Sequence, residues 1–258
     1  MTSELDCLER AVAAWHACIA DFCLLQPEGR VDVGPQGTKA YRSGAPVAVL
    51  NGLISTTRDA HLEELASMAE NFGSDGLPWS IQLRHTRTAP ALEQLAAGRG
   101  LNHAFTLPFM IKTLGAPDLE VPERPGMDVR VVAMDEGQTY QDALAAGYEA
   151  PPAVFAKFST PSVLSATGMT AFVVCESGVP VSTSFGVLRD GHVGVFNIST
   201  RPSHRLRGYG RAATQAVLRH AHQQGAHTAF LHCTPAGRKV YESLAFEVVE
   251  EWRVFVAA

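Results

Sequence analysis

The hydrophobic pattern changes period many times along the chain and so predicts many short elements. Over Leu5–Leu25 the apolar residues Leu8, Val12, Trp15, Ile19 and Phe22 recur every three or four positions, which predicts an amphipathic helix. Tyr41–Thr57 reads as strand, turn and strand, with Ser43, Gly44 and Pro46 at the bend. Helical spacing returns over His61–Phe72 (Leu62, Leu65, Met68, Ala69). Trp79–Leu83 then reads as a strand, Pro90–Ala97 as a helix opened by proline, and Asn102–Leu114 as an extended segment.

A second series follows. Asp128–Met134 predicts a strand, and Thr139–Phe158 a helix interrupted at Pro151-Pro152. Thr170–Glu176, Val181–Leu188 and Val193–Thr200 predict a meander with turns at Ser177-Gly178 and Asp190-Gly191. Arg211–Gln224 is a helix stopped by Gly225, Thr228–Cys233 a strand, Pro235–Leu244 a helix, and Phe246–Val256 a closing strand or strand pair. The order β-α-β-β-β-α-β-α-β is that of an α+β layer fold. Between the two series, Gly115–Met127 carries three prolines, two glycines and four charges. Such a stretch continues neither helix nor central strand, and predicts a linker at 116–127 between domains 1–115 and 128–258.

The halves echo each other. Ile54-Ser55-Thr56 and Ile198-Ser199-Thr200 are each followed by helix, strand, helix and strand, and Ile54 to Leu101 spans the same 47 residues as Ile198 to Ala245. A second echo, S-G-A-P-V from Ser43 and S-G-V-P-V from Ser177, does not hold in the same register. Ancient duplication and coincidence between Gly/Pro turns both fit these matches.

Composition narrows the partners. A net charge of −5 gives no global attraction to nucleic acid or to an anionic membrane. Met1–Arg10 lacks the cationic and apolar regions of a signal peptide, and no apolar run reaches membrane-spanning length, so a cytoplasmic protein is expected. Five scattered cysteines without a C-x-x-C pair argue against a disulfide framework and a zinc site. His220 and His222 lie two apart on a helix and face different ways, and no H-E-x-x-H occurs, so no metal is expected.

Against that acidic background, Arg201, Arg205, Arg207 and Arg211 bring four cations and no acid into eleven residues, between a predicted strand and a predicted helix. Gly208 and Gly210 leave the backbone open to an oxyanion, and the helix N-terminus adds N–H donors and a positive dipole end. An anion site and an ordinary solvated loop both fit this segment taken alone. It is neither G-x-G-x-x-G nor G-K-[ST].

P-x-x-R-x-x-G-x-G, present as Pro202-Ser203-His204-Arg205-Leu206-Arg207-Gly208-Tyr209-Gly210, resembles the acyl-CoA signature of the GNAT superfamily of N-acyltransferases. The resemblance extends over about 127–258 and includes a second motif in Ala229–Phe246, a strand and helix with Tyr241 before the corner Leu244-Ala245-Phe246. It implies a GNAT-like mixed β-sheet flanked by helices, as a tandem pair whose N-terminal copy is degenerate. It also implies acyl transfer from acetyl-CoA to a small amine; a homodimer is compatible with it. Ile198, Ser199 and Thr200 would pair through their backbone with the pantetheine amides, and Leu206, Arg207, Gly208, Tyr209, Gly210 and Arg211, next to Arg205, would hold the pyrophosphate. Tyr241 would be the general acid.

Three positions depart from the family pattern: Ala245 replaces the corner glycine, Thr234 an asparagine, and Ala229 a glutamate. The last leaves the general base unassigned, with His232 and Glu176 as candidates that also fit structural roles. Tyr241 fits core packing as well as proton donation, and Cys233 fits a buried strand cysteine better than an acyl-enzyme nucleophile. Two other readings remain, an acyl-CoA-binding regulator without turnover and an interaction protein whose N-terminal half binds a partner. The N-terminal half lacks R-x-x-G-x-G and has no tyrosine in Pro90–Ala97, so it is expected to bind no cofactor.

Overall fold

The computed structural model describes residues 2–84, 89–119 and 126–257. Its elements are α1 (Thr2–Leu24), β1 (Arg30–Val33), β2 (Thr38–Arg42), β3 (Asn51–Ser55), α2 (Leu62–Ala69), β4 (Ser80–Leu83), α3 (Pro90–Gly98), β5 (His103–Thr113), β6 (Met127–Val131), α4 (Gly137–Tyr148), α5 (Pro161–Leu164), β7 (Met169–Glu176), β8 (Val179–Arg189), β9 (His192–Thr200), α6 (Tyr209–Gln223), β10 (Thr228–His232), α7 (Arg238–Glu242) and β11 (Glu247–Val256). The predicted elements are present, and the chain is a mixed α+β fold. β1 and α5 were not predicted. The first offers only two apolar residues, Val31 and Val33, alternating with Arg30 and Asp32, which pair with each other at its exposed edge; the second is a single turn.

The chain divides into two compact units, each assembled from separated segments. One consists of Met1–Cys18, Ile111–Leu231 and Pro235–Glu247, the other of Ile19–Met110, His232–Thr234 and Val248–Ala258. The expected boundary, by contrast, separates two contiguous stretches. The difference lies at the ends of the chain. Most of α1 belongs with the C-terminal half, and Cys18 Sγ lies 3.6 Å from the Val187 carbonyl oxygen of β8. β11 joins β4 antiparallel, Arg253 opposite Leu83 and Val256 opposite Ser80. Of the expected linker, residues 120–125 lie outside the described residues. Ala116–Asp118 forms a 3-10 turn, its Asp118 paired with Lys112 at 2.9 Å and accepting from the Gly115 N–H at 3.0 Å.

In the unit built mainly from the C-terminal half, the strands run in the order β10-β9-β8-β7-β6. The pairs from β6 to β9 are antiparallel, and α6 then crosses over so that β10 lies parallel to β9. α6 covers one face, where a Cβ on Gly186 would stand 2.9 Å from Val217. α4 covers the other, carrying Thr183 and Ser199, because side chains alternate along a strand.

The other unit repeats this topology. β1, β2 and β3 pair antiparallel, and α2 leads into β4, parallel to β3. Its core gathers Leu53, Leu65, Trp79, Ile81, Leu101 and Phe255. The strand, helix and parallel strand after Ile54 therefore match those after Ile198.

Candidate acyl-donor site

The site begins as a defect in β9. Asn197, an asparagine in a strand, has φ of 52°, and two residues of β9 oppose the single Ser184 of β8, a β-bulge. Asn197 Nδ2 donates to the Tyr140 hydroxyl at 3.4 Å, and that hydroxyl lies 3.5 Å from the Ser184 carbonyl, so buried α4 props the bulge. Beyond it, the Arg201 N–H donates to Val181 and the Ser199 carbonyl accepts from Ser182 Oγ, both toward β8. Backbone groups alternate in a strand, so Ile198 and Thr200 face the opposite side. There β10 stays in register with β9 only from Thr228 opposite His192 to Phe230 opposite Gly194. The strands then part, and among the described residues Ile198 and Thr200 have no partner on β10.

α4 sets the depth of this edge. A Cβ on Gly147 would lie 2.3 Å from Ser199 Oγ and 2.9 Å from the Thr200 nitrogen, so only glycine permits this approach.

The loop after β9 turns sharply. Leu206 has φ of 60° with its side chain in solvent, and Gly208, at the N-cap of α6, has φ of 88°. An L-residue at the N-cap would meet the left-handed penalty. No side chain caps α6, and its first turn holds no acid. Tyr209 and Gly210, expected in the loop, are the first residues of this helix. The N–H groups of Tyr209, Gly210 and Arg211 have no partner within the helix, as at any helix start. Those of Leu206, Arg207 and Gly208 donate to no backbone carbonyl among the described residues. Six consecutive donors thus run from the end of the loop into the first turn of α6.

The arginines differ from the four free cations that the sequence suggests. Arg205 donates to Glu149 at 2.8 Å, to the Gly147 carbonyl at 2.9 Å and to the Thr200 carbonyl at 3.2 Å, tying the loop to the end of α4. Arg207 pairs with Glu176, which also accepts from the Tyr209 hydroxyl and contacts His204 Nε2 at 3.1 Å. Arg211 donates to Ser243 Oγ at 2.9 Å, and Arg201 Nε is buried without a hydrogen-bond partner among the described residues. Glu149 and Glu176 lie far from the loop in sequence, so their neutralising charge was invisible there. Attraction for an anion therefore rests on backbone N–H groups and the helix dipole more than on arginine charge.

The base candidates look different in place. The hydrogen bond from Tyr209, with the charges of Arg207 and His204, holds the Glu176 carboxyl below the usual range, which makes it a weaker base. His232 is half-buried, its ring edge-on to those of Phe109 and Trp252 and its Nε2 shielded from solvent, and this desolvation lowers its pKa to about 3, making it a poor proton acceptor at neutral pH. Cys233 is buried and lies one residue past the end of β10, where its N–H donates to the Pro108 carbonyl. Among the described residues no cluster of three or more His, Cys, Asp or Glu suits a metal ion, and no helix is long and apolar enough to cross a membrane.

Tyr241 lies on α7, 8% exposed, edge-on to Phe246. A Cβ on Gly237 would stand 2.7 Å from its ring, so glycine one turn earlier makes room for it. At the corner after α7, Ala245 takes φ of 61°, the left-handed conformation that the family's glycine adopts without strain. Ala245→Gly should raise the unfolding free energy by about 0.5–1 kcal/mol, less than the full left-handed penalty because glycine also loosens the unfolded chain. Chemical denaturation measures it, and a lower midpoint at constant slope would contradict the strain.

Together these features set a strand edge beyond the β9–β10 pairing beside a sharply turned loop and an uncapped helix start. Residues 138–246 match the model of the acetyltransferase (GNAT) family. This stretch is thus a GNAT acetyltransferase domain, an enzyme class that transfers acyl groups from coenzyme A thioesters. The whole chain is similar in fold to a GCN5-related N-acetyltransferase from Kribbella flavida, with a TM-score of 0.69 and 20% identity over 96% of this chain and 95% of that one. It is also similar to a GCN5-related N-acetyltransferase-like protein from Streptococcus suis 89/1591 (TM-score 0.62, 13% identity, 100% of both chains). A functionally unknown conserved protein from Staphylococcus epidermidis ATCC 12228 gives a TM-score of 0.65 at 13% identity over 89% of this chain and 94% of that one. At these identities the likeness is one of fold. No curated protein matches the chain in sequence.

Proposed function

We propose that this protein transfers an acetyl group from acetyl-CoA to the amine of a small acceptor by direct attack on the thioester. The observation that carries the proposal is the bulged edge of β9 leading into the uncapped start of α6. Ile198 and Thr200 offer backbone groups to the pantetheine amides, as an added strand would find them, with Ser199 between them facing α4. The N–H groups from Leu206 to Arg211 take the pyrophosphate, and Arg205 braces the loop through Glu149 and Gly147. In this reading the cofactor enters as the acyl-donor substrate.

Attack by a neutral amine expels a thiolate, and Tyr241 protonates it as the carbon–sulfur bond breaks. A thiol has a pKa of about 8.5 and a tyrosine about 10, so transfer to the leaving sulfur is slightly uphill at its end but useful while charge develops. Neither His232 nor Glu176 is suited to deprotonate the amine, which points to water or to an acceptor already neutral.

Tyr241→Phe keeps the ring against Phe246 and removes only the proton donor. Its kcat should fall roughly 10²–10⁴-fold while acetyl-CoA affinity stays within a few fold. The assay follows thiol release from acetyl-CoA across a panel of amines. Full kcat at saturation would mean that another group protonates the sulfur. CoA binding without thiol release for any amine would favour a regulator without turnover.

A further inference from the structure

We propose that Phe196 and Phe230 close the inner end of the donor site and restrict this protein to short acyl chains. The inference rests on the donor-site reading above. The last residue pair joining β9 to β10 is Gly194 opposite Phe230, and the next residue of β9 on that face is Phe196. The two rings meet edge to face, their centroids 6.4 Å apart.

Gly194 makes this closure possible. A Cβ there would stand 2.4 Å from the Phe196 ring and 2.9 Å from the Phe230 ring, so both rings occupy the space that a side chain would fill. The rings are backed as well. Phe196 is the antiparallel partner of Phe185, which is buried on the same face and packs edge to face against Phe158. A row of four aromatic residues thus fills that face beside the point where the strands part. Phe230 is fully buried, whereas Phe196 is only half-buried and is the ring nearest the opening.

The direction of the donor follows from its anchor. With the pyrophosphate at the start of α6 and the pantetheine arm running back along Thr200 and Ile198, the thioester reaches Asn197, and the acyl carbons extend toward Phe196. An acetyl group ends before the ring. Each further methylene meets an aromatic surface that is already packed from behind, and close-packed interiors accommodate added methylenes poorly.

Calorimetric titration with CoA, acetyl-CoA, butyryl-CoA and octanoyl-CoA tests this, with free CoA as the reference because it carries no acyl group. Wild type should bind CoA and acetyl-CoA with similar affinity, and butyryl-CoA and octanoyl-CoA at least tenfold more weakly. Phe196→Ala should cut that penalty to threefold or less. Phe230→Leu should also relax it, and serves where Phe196→Ala does not fold. A penalty unchanged in a folded variant that still binds CoA would overturn the proposal, as would wild type binding octanoyl-CoA as well as acetyl-CoA. Failure of wild type to bind CoA at all would instead remove the donor site itself.

Discussion

Glu250→Ala should cost about 3–5 kcal/mol of stability, the penalty for leaving a buried charge without its partner. The Arg84 side chain is 1% exposed, and its Nε and Nη2 donate to the two oxygens of Glu250 at 3.0 and 3.1 Å while Nη1 donates to the Thr56 carbonyl at 2.7 Å. The same carboxylate accepts from Trp252 Nε1 at 2.7 Å and from Arg58 at 3.0 Å. Domains commonly hold 5–15 kcal/mol in total, so the urea midpoint should drop steeply. Arg58→Ala removes a half-exposed partner and should cost less than about 1 kcal/mol. A loss below 1 kcal/mol for Glu250→Ala would mean that Arg84 finds another partner or water. The pair also bears on function. In this unit the connection from β3 to α2 corresponds in topology to the loop from β9 to α6 in the other, and Arg58 and Arg84 already hold an internal carboxylate there. His61 caps α2 by accepting from the Glu64 N–H, and Glu63 and Glu64 bring negative charge into its first turn. An incoming phosphate would meet acids and a capped helix.

Gly208→Asp should abolish donor binding, with affinity for CoA falling at least about a hundredfold. Gly208 is in the left-handed conformation at the start of α6, so any side chain there is strained, and a carboxylate would accept the N–H groups on which an anion depends. The variant caps its own helix and should remain folded. Adding CoA should raise the melting temperature of wild type, because a ligand that binds only the native state stabilises it, and should leave that of Gly208→Asp unmoved. An equal rise in both would place the phosphate elsewhere.

The sequence carried the elements and the glycine-containing loop before α6 because both depend on local pattern: apolar period, prolines and glycines, and a nine-residue motif around Arg205. What it hid is non-local. The segment from Phe246 reads as a closing strand, and nothing in its alternation says that it joins β4, since that depends on Glu250 meeting Arg84 across 166 residues. Glu149 and Glu176 neutralise Arg205 and Arg207 from distant positions, which turns a cluster of four cations into a braced loop. The bulge had a local trace, an asparagine in F-N-I where strands disfavour it, readable only with Tyr140 and Ser184 in view. Gly147 is an ordinary glycine near a helix end until Ser199 stands against it.

Calorimetric titration of the wild-type protein with acetyl-CoA tests the central claim most directly. Binding at one site per chain is predicted, through the loop from Arg205 to Arg211. No binding, or two equivalent sites per chain, would contradict it: the first would empty the loop of its role, and the second would give the unit around β3 and α2 a donor site of its own.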